Sequence, residues 1–282
     1  MDEGKNRTKD AKNILISRMT ASMKSALKVA VLALLLLVPF VTVQAAPGDV
    51  GIVLLHGKWG QPNSMRSLGS VLESSGYKVS IPEMAWSGRR LYDKDYPAAL
   101  REIEAEVKQL RARGAKRVVV AGQSLGANAA VAYASSGLDL DALVIFAPGH
   151  FPERGMGGRA GQVGAARSKA MVAAGHGDDL DSFPDTNQGR NRTVRMTAAI
   201  HQSYFDPDGL GAMTKTIRKL PKALPILLVI GTQDPFLPES RAMFDSAPAH
   251  EASRYVVLEG DHMGMPNLVS GELLKWLEPL AQ

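Results

Sequence analysis

The sequence predicts an α/β fold: a doubly wound, mainly parallel sheet of about six strands, with a helical and irregular cap inserted after the fourth strand. Three observations carry this. Short apolar runs of strand length recur along the chain, helical patterns alternate with them, and one long stretch without an apolar run interrupts the rhythm.

Residues 50–55 (VGIVLL) form a continuous apolar run closed by His56-Gly57. Such a run suits a strand covered on both faces, as in a parallel sheet. Residues 62–75 read as a helix, with Met65, Leu68, Val71 and Leu72 at helical spacing and Gly76 as the stop. Residues 77–81 give a shorter strand ended by Pro82. Residues 96–113 carry the clearest helical stripe, Leu100, Ile103, Val107 and Leu110, with Gly114 at its C-cap. Residues 116–121 (KRVVVA) make the third strand, and the small apolar residues of 124–136 suit a helix packed closely on a sheet. Strands follow at 141–146, 225–230 and 254–258, with helices at 238–246 and 267–279. Between the fourth and fifth strands lies a long insertion, residues 148–224, rich in Gly, Arg and Asp. It shows helical patches at about 163–174 and 192–203 and no convincing strand.

Composition limits the function classes. The 282 residues include no Cys, which excludes a disulfide scaffold, a thiolate metal site and a Cys nucleophile. The net charge of +5 does not indicate nucleic-acid binding. Residues 1–28 hold seven Lys or Arg and three acids, so the rest of the chain stands near neutrality. Next comes an uncharged apolar run, residues 29–43, then Val43-Gln44-Ala45. A basic region, an apolar core too short for the ~20 residues of a bilayer span, and a small-residue site read together as a secretory signal peptide over 1–45, cleaved after Ala45. The working domain is then 46–282, secreted or periplasmic. The alternative is an uncleaved N-terminal membrane anchor, and membrane contact is expected only in that case.

The chemistry is carried by Gly122-Gln123-Ser124-Leu125-Gly126, which follows a strand and opens a helix. A G-x-S-x-G turn in that setting is tight enough to push a serine hydroxyl out at its apex, and the glycines leave room for neighbouring backbone. A serine needs a base to take its proton and the base needs an orienting acid. Asp234 lies just past the fifth strand and His262 just past the sixth, each at a strand's C-terminal end. Asp261 is an alternative acid, although adjacent side chains diverge. Asp206-Pro207-Asp208-Gly209 reads first as a turn rather than a calcium loop. Trp86, Tyr92 and Tyr96 surround the loop 87–90, and His150, His201 and Tyr204 fall in the insertion.

These motifs, with residues 231–235, 260–264 and His56-Gly57, resemble the α/β-hydrolase family over residues 50–280. The resemblance implies Ser124 as nucleophile, His262 as general base and Asp234 as its orienting acid. The Leu125 N–H is one oxyanion donor, and the resemblance places the other in the loop after the first strand, on Lys58 with Trp59 second. His56, Trp59 and Gln123 are expected in supporting positions around the site. The family's first two antiparallel strands have no counterpart, so a shortened sheet is expected. The implied activity is cleavage of a small-molecule carboxylic ester without metal or organic cofactor. Amidase, peptidase or thioesterase activity on the same fold, or a non-catalytic binding role, are the alternatives.

Overall fold

The apolar runs lie side by side as one sheet. The computed structural model describes residues 46–281, so the leader assigned to 1–45 lies outside the described residues. The strands are β1 (Val50–Leu55), β2 (Lys78–Ser80), β3 (Arg117–Ser124), β4 (Ala142–Pro148), β5 (Leu180–Asn187), β6 (Arg190–Thr197), β7 (Ile226–Gly231) and β8 (Arg254–Leu258). Six of them form the main sheet in the order β2-β1-β3-β4-β7-β8, and every neighbouring pair is parallel. Among the described residues no antiparallel pair precedes it.

Parallel strands need crossovers, and these place helices on both faces. Alternate residues of one strand therefore enter different cores. Val53 and Leu55 of β1, Val118 and Val120 of β3, and Leu143 and Ile145 of β4 pack against α2 (Tyr96–Ala112) and α3 (Leu125–Ser135). Ile52 and Leu54, Val119 and Ala121, and Val144 and Phe146 pack on the other face, against α1 (Arg66–Ser74) and the C-terminal helix, Ser270–Leu277. Burial on both faces explains why these strands read as unbroken apolar runs. Asp95 caps α2 by accepting the Ala98 N–H at 2.7 Å.

The insertion departs from its expected form. Besides α4 (Gly158–Ala173) and α5 (Ala198–Phe205) it contains the antiparallel hairpin β5–β6, closed by Gln188 and Gly189, both at positive φ. Such a two-residue turn matches the twist of the strands it joins. The helix expected at 192–203 begins only at Ala198, where Thr197 caps it; residues 192–197 are strand. Pro184 and the polar run Arg190–Thr193 hide the hairpin, whose inward set is limited to Phe183, Asp185, Val194 and Met196. Pro is tolerated at 184 because a two-stranded ribbon has only edges.

Smaller differences concern element ends. A 3₁₀ turn, Pro62–Met65, precedes α1, and β2 has three residues. The helix expected at 238–246 is α6 (Leu237–Asp245). That expected at 267–279 is a turn, Met265–Leu268, followed by α7 (Ser270–Leu277). The loops after β1, β3, β4, β7 and β8 leave from the same edge of the sheet, because the strands are parallel.

Candidate active site

Ser124 ends β3 and caps α3 with φ 56° and ψ −118°, a conformation that L-residues rarely adopt. The flanking glycines make the turn feasible. A Cβ on Gly122 would stand 2.3 Å from the Gly126 carbonyl group, and one on Gly126 would stand 2.4 Å from the Leu55 oxygen. The hydroxyl is thus held at the apex by close backbone packing around the turn. Leu125 opens α3, so its N–H is among those that find no partner within the helix.

Asp234, just past β7, and His262, just past β8, lie side by side. Asp234 Oδ1 accepts the Phe236 N–H at 2.9 Å, and Oδ2 accepts from His262 Nδ1 at 2.8 Å. Both side chains are buried. Because a carboxylate accepts, the imidazole proton sits on Nδ1 and the lone pair on Nε2. Nε2 is buried and has no hydrogen-bond partner among the described residues. Gln123 Nε2 donates to the His262 carbonyl at 2.8 Å, so the residue before the serine also holds the histidine loop.

Gly149, just after β4, joins these two groups. A Cβ built there would lie 2.6 Å from Ser124 Oγ and 3.4 Å from His262 Cε1. The hydroxyl and the imidazole therefore face the same small space. The backbone is bent on both sides of it, with Ala147 at φ 42° and His150 at φ 65°. Asn128 on α3 anchors this loop by donating to the carbonyls of His150 and Gly211 at 2.6 and 2.7 Å. The sequence singles out neither Gly149 nor Asn128; the only signal for Gly149 is its place directly after a strand.

The loop after β1 passes beside the serine, where a Cβ on Gly57 would meet Ser124 Cβ at 3.2 Å. His56 is fully buried and uses both ring nitrogens: Nδ1 donates to the Gly57 carbonyl at 2.9 Å and Nε2 accepts the Met84 N–H at 3.1 Å. Burial holds its pKa below the ordinary histidine value. Its role is to fix this loop against Met84–Trp86. The Trp59 N–H already donates to the Trp86 carbonyl at 2.9 Å, which removes it as an oxyanion donor. Lys58 lines a cavity of about 270 Å³ together with Ser124, Gly149 and His150.

The Lys58 side chain turns away into the insertion. Its Nζ donates to Asp185 Oδ1 at 2.6 Å and to the Thr186 carbonyl at 3.2 Å. Asp185 Oδ2 also accepts from Trp59 Nε1 at 2.9 Å and from the Tyr92 hydroxyl at 2.7 Å. Burial pushes the Asp185 carboxyl up, but the Lys58 ammonium and these hydrogen bonds outweigh it and leave it below the usual carboxylate range. Asn187 Nδ2 donates to the Lys58 carbonyl at 2.9 Å. Asp185 carries no signal in the sequence, and it is the polar centre of the contact between hairpin and site.

Other candidates have structural duties. His150 Nε2 donates to the Tyr204 carbonyl at 2.8 Å, and burial together with the Lys58 charge pushes its pKa down to about 3. His201 is stacked between Phe183 and Phe205, with ring centroids 4.1 and 4.4 Å away, and bonds Ser168 Oγ at 2.9 Å. Asp261 Oδ1 accepts the Gly264 N–H at 2.7 Å within its own turn, far from the role of acid to His262. Asp206 Oδ1 accepts the Asp208 N–H at 3.0 Å, as a turn residue does. Trp86, Tyr92 and Tyr96 are all buried rather than bordering an open loop. Among the described residues there is no group of three or more His, Asp or Glu side chains that could hold a metal ion.

The model of the alpha/beta hydrolase family matches residues 52–274, most of the chain. The chain belongs to the α/β-hydrolase family. Solved structures align over nearly their whole length. The metagenome-derived lipolytic enzymes LipS and LipT give a TM-score of 0.58 at 15% identity, covering 83% of this chain and 96% of theirs. A monoacylglycerol lipase from Paleococcus ferrophilus gives 0.57 at 19%, covering 84% and 95%. Est1E from Butyrivibrio proteoclasticus, solved with ferulic acid bound, gives 0.56 at 17%, covering 86% and 93%. At these identities the likeness is one of fold. Among curated protein sequences none matches the chain.

Proposed function

We propose that this α/β-hydrolase cleaves carboxylic esters through a Ser124–His262–Asp234 triad and an acyl-enzyme. The observation that carries the reading is the Asp234–His262 hydrogen bond of 2.8 Å, which leaves His262 Nε2 without a partner on a ring whose Cε1 faces the space at Gly149 that Ser124 Oγ also faces. In the first step Nε2 takes the Ser124 proton as Oγ adds to the ester carbonyl. The resulting oxyanion is held by the backbone N–H groups of Leu125 and Lys58. Collapse expels the alcohol, which takes the proton from Nε2, and leaves the acyl group on Ser124. Water then repeats the sequence, losing its proton to Nε2, and releases the acid and the free serine. Asp234 stabilises the imidazolium that forms in each half. No step calls for a metal or an organic cofactor.

The basic leader, the apolar run and the Val43-Gln44-Ala45 site support a secreted or periplasmic location. Among the described residues no helix is long and apolar enough to cross a membrane. Mass determination of the mature N-terminus tests the location, a start at Ala46 being expected.

The activity is tested by hydrolysis of a series of p-nitrophenyl esters by residues 46–282, with Ser124→Ala alongside. The variant is expected to lose about 10⁴-fold in kcat or more, as removal of a triad serine does. Near-normal turnover by a folded Ser124→Ala protein would refute the mechanism.

A further inference from the structure

A second cavity, of about 420 Å³, lies under α4 in the insertion. It borders the cavity at Ser124, and the two have Met156 in common. On α4 the wall carries Gly161, Ala165 and Ala166, residues too small to fill the space, together with the exposed Gln162 and Lys169, while Phe205 and Pro152 close the other sides. A Cβ on Gly161 would stand 2.2 Å from the Met156 carbonyl oxygen, so the helix rests on the backbone of the residue that separates the cavities. Of the two charged residues in the lining, Lys169 is exposed, while Glu153 Oε1 is held by the N–H and hydroxyl of Thr214 at 2.8 and 2.7 Å and its Oε2 is buried with no hydrogen-bond partner among the described residues, so the buried lining is apolar apart from that one oxygen.

We infer that this cavity takes the apolar arm of the ester, an unbranched acyl or alkyl chain of medium length that passes from Ser124 over Met156. Methionine suits that position, because its unbranched thioether side chain repacks around a chain at low cost. The inference rests on the serine-hydrolase reading for the direction from which the chain enters, and on the cavity itself for its chemistry. A methylene moved from water into such a space contributes about a fourfold gain, so preference should climb steeply with length.

The experiment uses two ester series and one binding series. p-Nitrophenyl acetate to octanoate lengthens the acyl arm; ethyl to octyl acetate lengthens the alcohol arm. The expected result is a long-to-short ratio of kcat/KM above about 100 in one series, falling at least tenfold in Ala165→Trp and in Ala166→Phe. The ratio within each variant is independent of how much protein folds. In parallel, Ser124→Ala is titrated with N-phenyloctanamide and N-phenylacetamide, which report the cavity without turnover. Flat profiles in both series, or ratios that survive both substitutions, overturn the inference while leaving the serine mechanism intact. Length-dependent anilide binding that Ala165→Trp abolishes, with no Ser124-dependent hydrolysis, supports the cavity and sinks the proposed function instead.

Discussion

Lys58 and Asp185 form a buried ion pair, Nζ to Oδ1 2.6 Å, between residues 127 positions apart in the chain. One partner sits in the loop beside Ser124 and the other in β5, so the pair fastens the hairpin to the site. Taking two charges out of water is costly, and their attraction roughly offsets that cost only while both are present.

Removing one partner is therefore expected to be severe. Lys58→Met strands the Asp185 carboxylate and should cost about 3–5 kcal/mol, read as a lower urea midpoint. Lys58→Met with Asp185→Leu should recover part of that loss, because no buried charge remains although Trp59 Nε1 and the Tyr92 hydroxyl lose their acceptor. A double variant as unstable as the single one would show that the pair stabilises the fold through more than charge balance.

The two buried histidines of the insertion make stability depend on pH. The pKa of His150 is about 3 and that of His201 about 4, both pushed down chiefly by burial from an ordinary value of 6.5. Between these values the unfolded chain binds protons that the folded one does not, so stability rises with pH across the window. It is complete above about pH 6.5 and lost progressively below it. From pH 7.5 to pH 5 each histidine should subtract about 2 kcal/mol, at 1.36 kcal/mol per pH unit. Urea titrations at the two pH values measure the sum. His201→Phe, stacked in the same place between Phe183 and Phe205, should reduce the acid loss by about half.

How much of the fold and the site is legible in the sequence depends on whether the rule is local. The turn around Ser124 can be read because its G-x-S-x-G pattern is complete within five residues, Gly122 being required by Gly126 backbone inside the turn although Gly126 itself is required by Leu55 of β1, and the strand before it announces itself by burial on both faces. Asp234 and His262 can be read because each follows such a strand directly. Asp185 cannot: an acidic residue in an alternating strand ordinarily faces water, and what turns it inward is a lysine 127 residues earlier. Its strand is hidden with it, since Pro184 and an inward charge break the pattern by which strands are recognised. Gly149 stays hidden for the same reason, as the groups it makes room for come from β3 and from the loop after β8.

The strained backbone at Ser124 sets stability against activity. With φ 56° and ψ −118°, the position suits glycine better than any residue with a side chain. Ser124→Gly should abolish ester hydrolysis and raise stability by about 1 kcal/mol, seen as a higher Tm. A destabilised Ser124→Gly protein would mean that the serine side chain contributes more to the fold than its backbone costs.

Gly149 offers the sharpest separation of site from scaffold. Its φ lies outside the positive region, so alanine is compatible with the backbone, yet the added Cβ would stand 2.6 Å from Ser124 Oγ. The hydroxyl is the mobile end of a short side chain and can rotate away, and the Ser124 Cα at 3.3 Å and His262 Cε1 at 3.4 Å then have to give only slightly. Rotation removes it from the space that it shares with the His262 ring, and a displacement of about 1 Å between reacting groups costs on the order of 10²-fold. Gly149→Ala is accordingly expected to unfold within about 1 °C of the parent while kcat falls about 100-fold or more. Unchanged kcat in this variant would mean that Ser124 attacks from a rotamer other than the one facing Gly149, and the shared space at Gly149 would no longer pair the serine with His262.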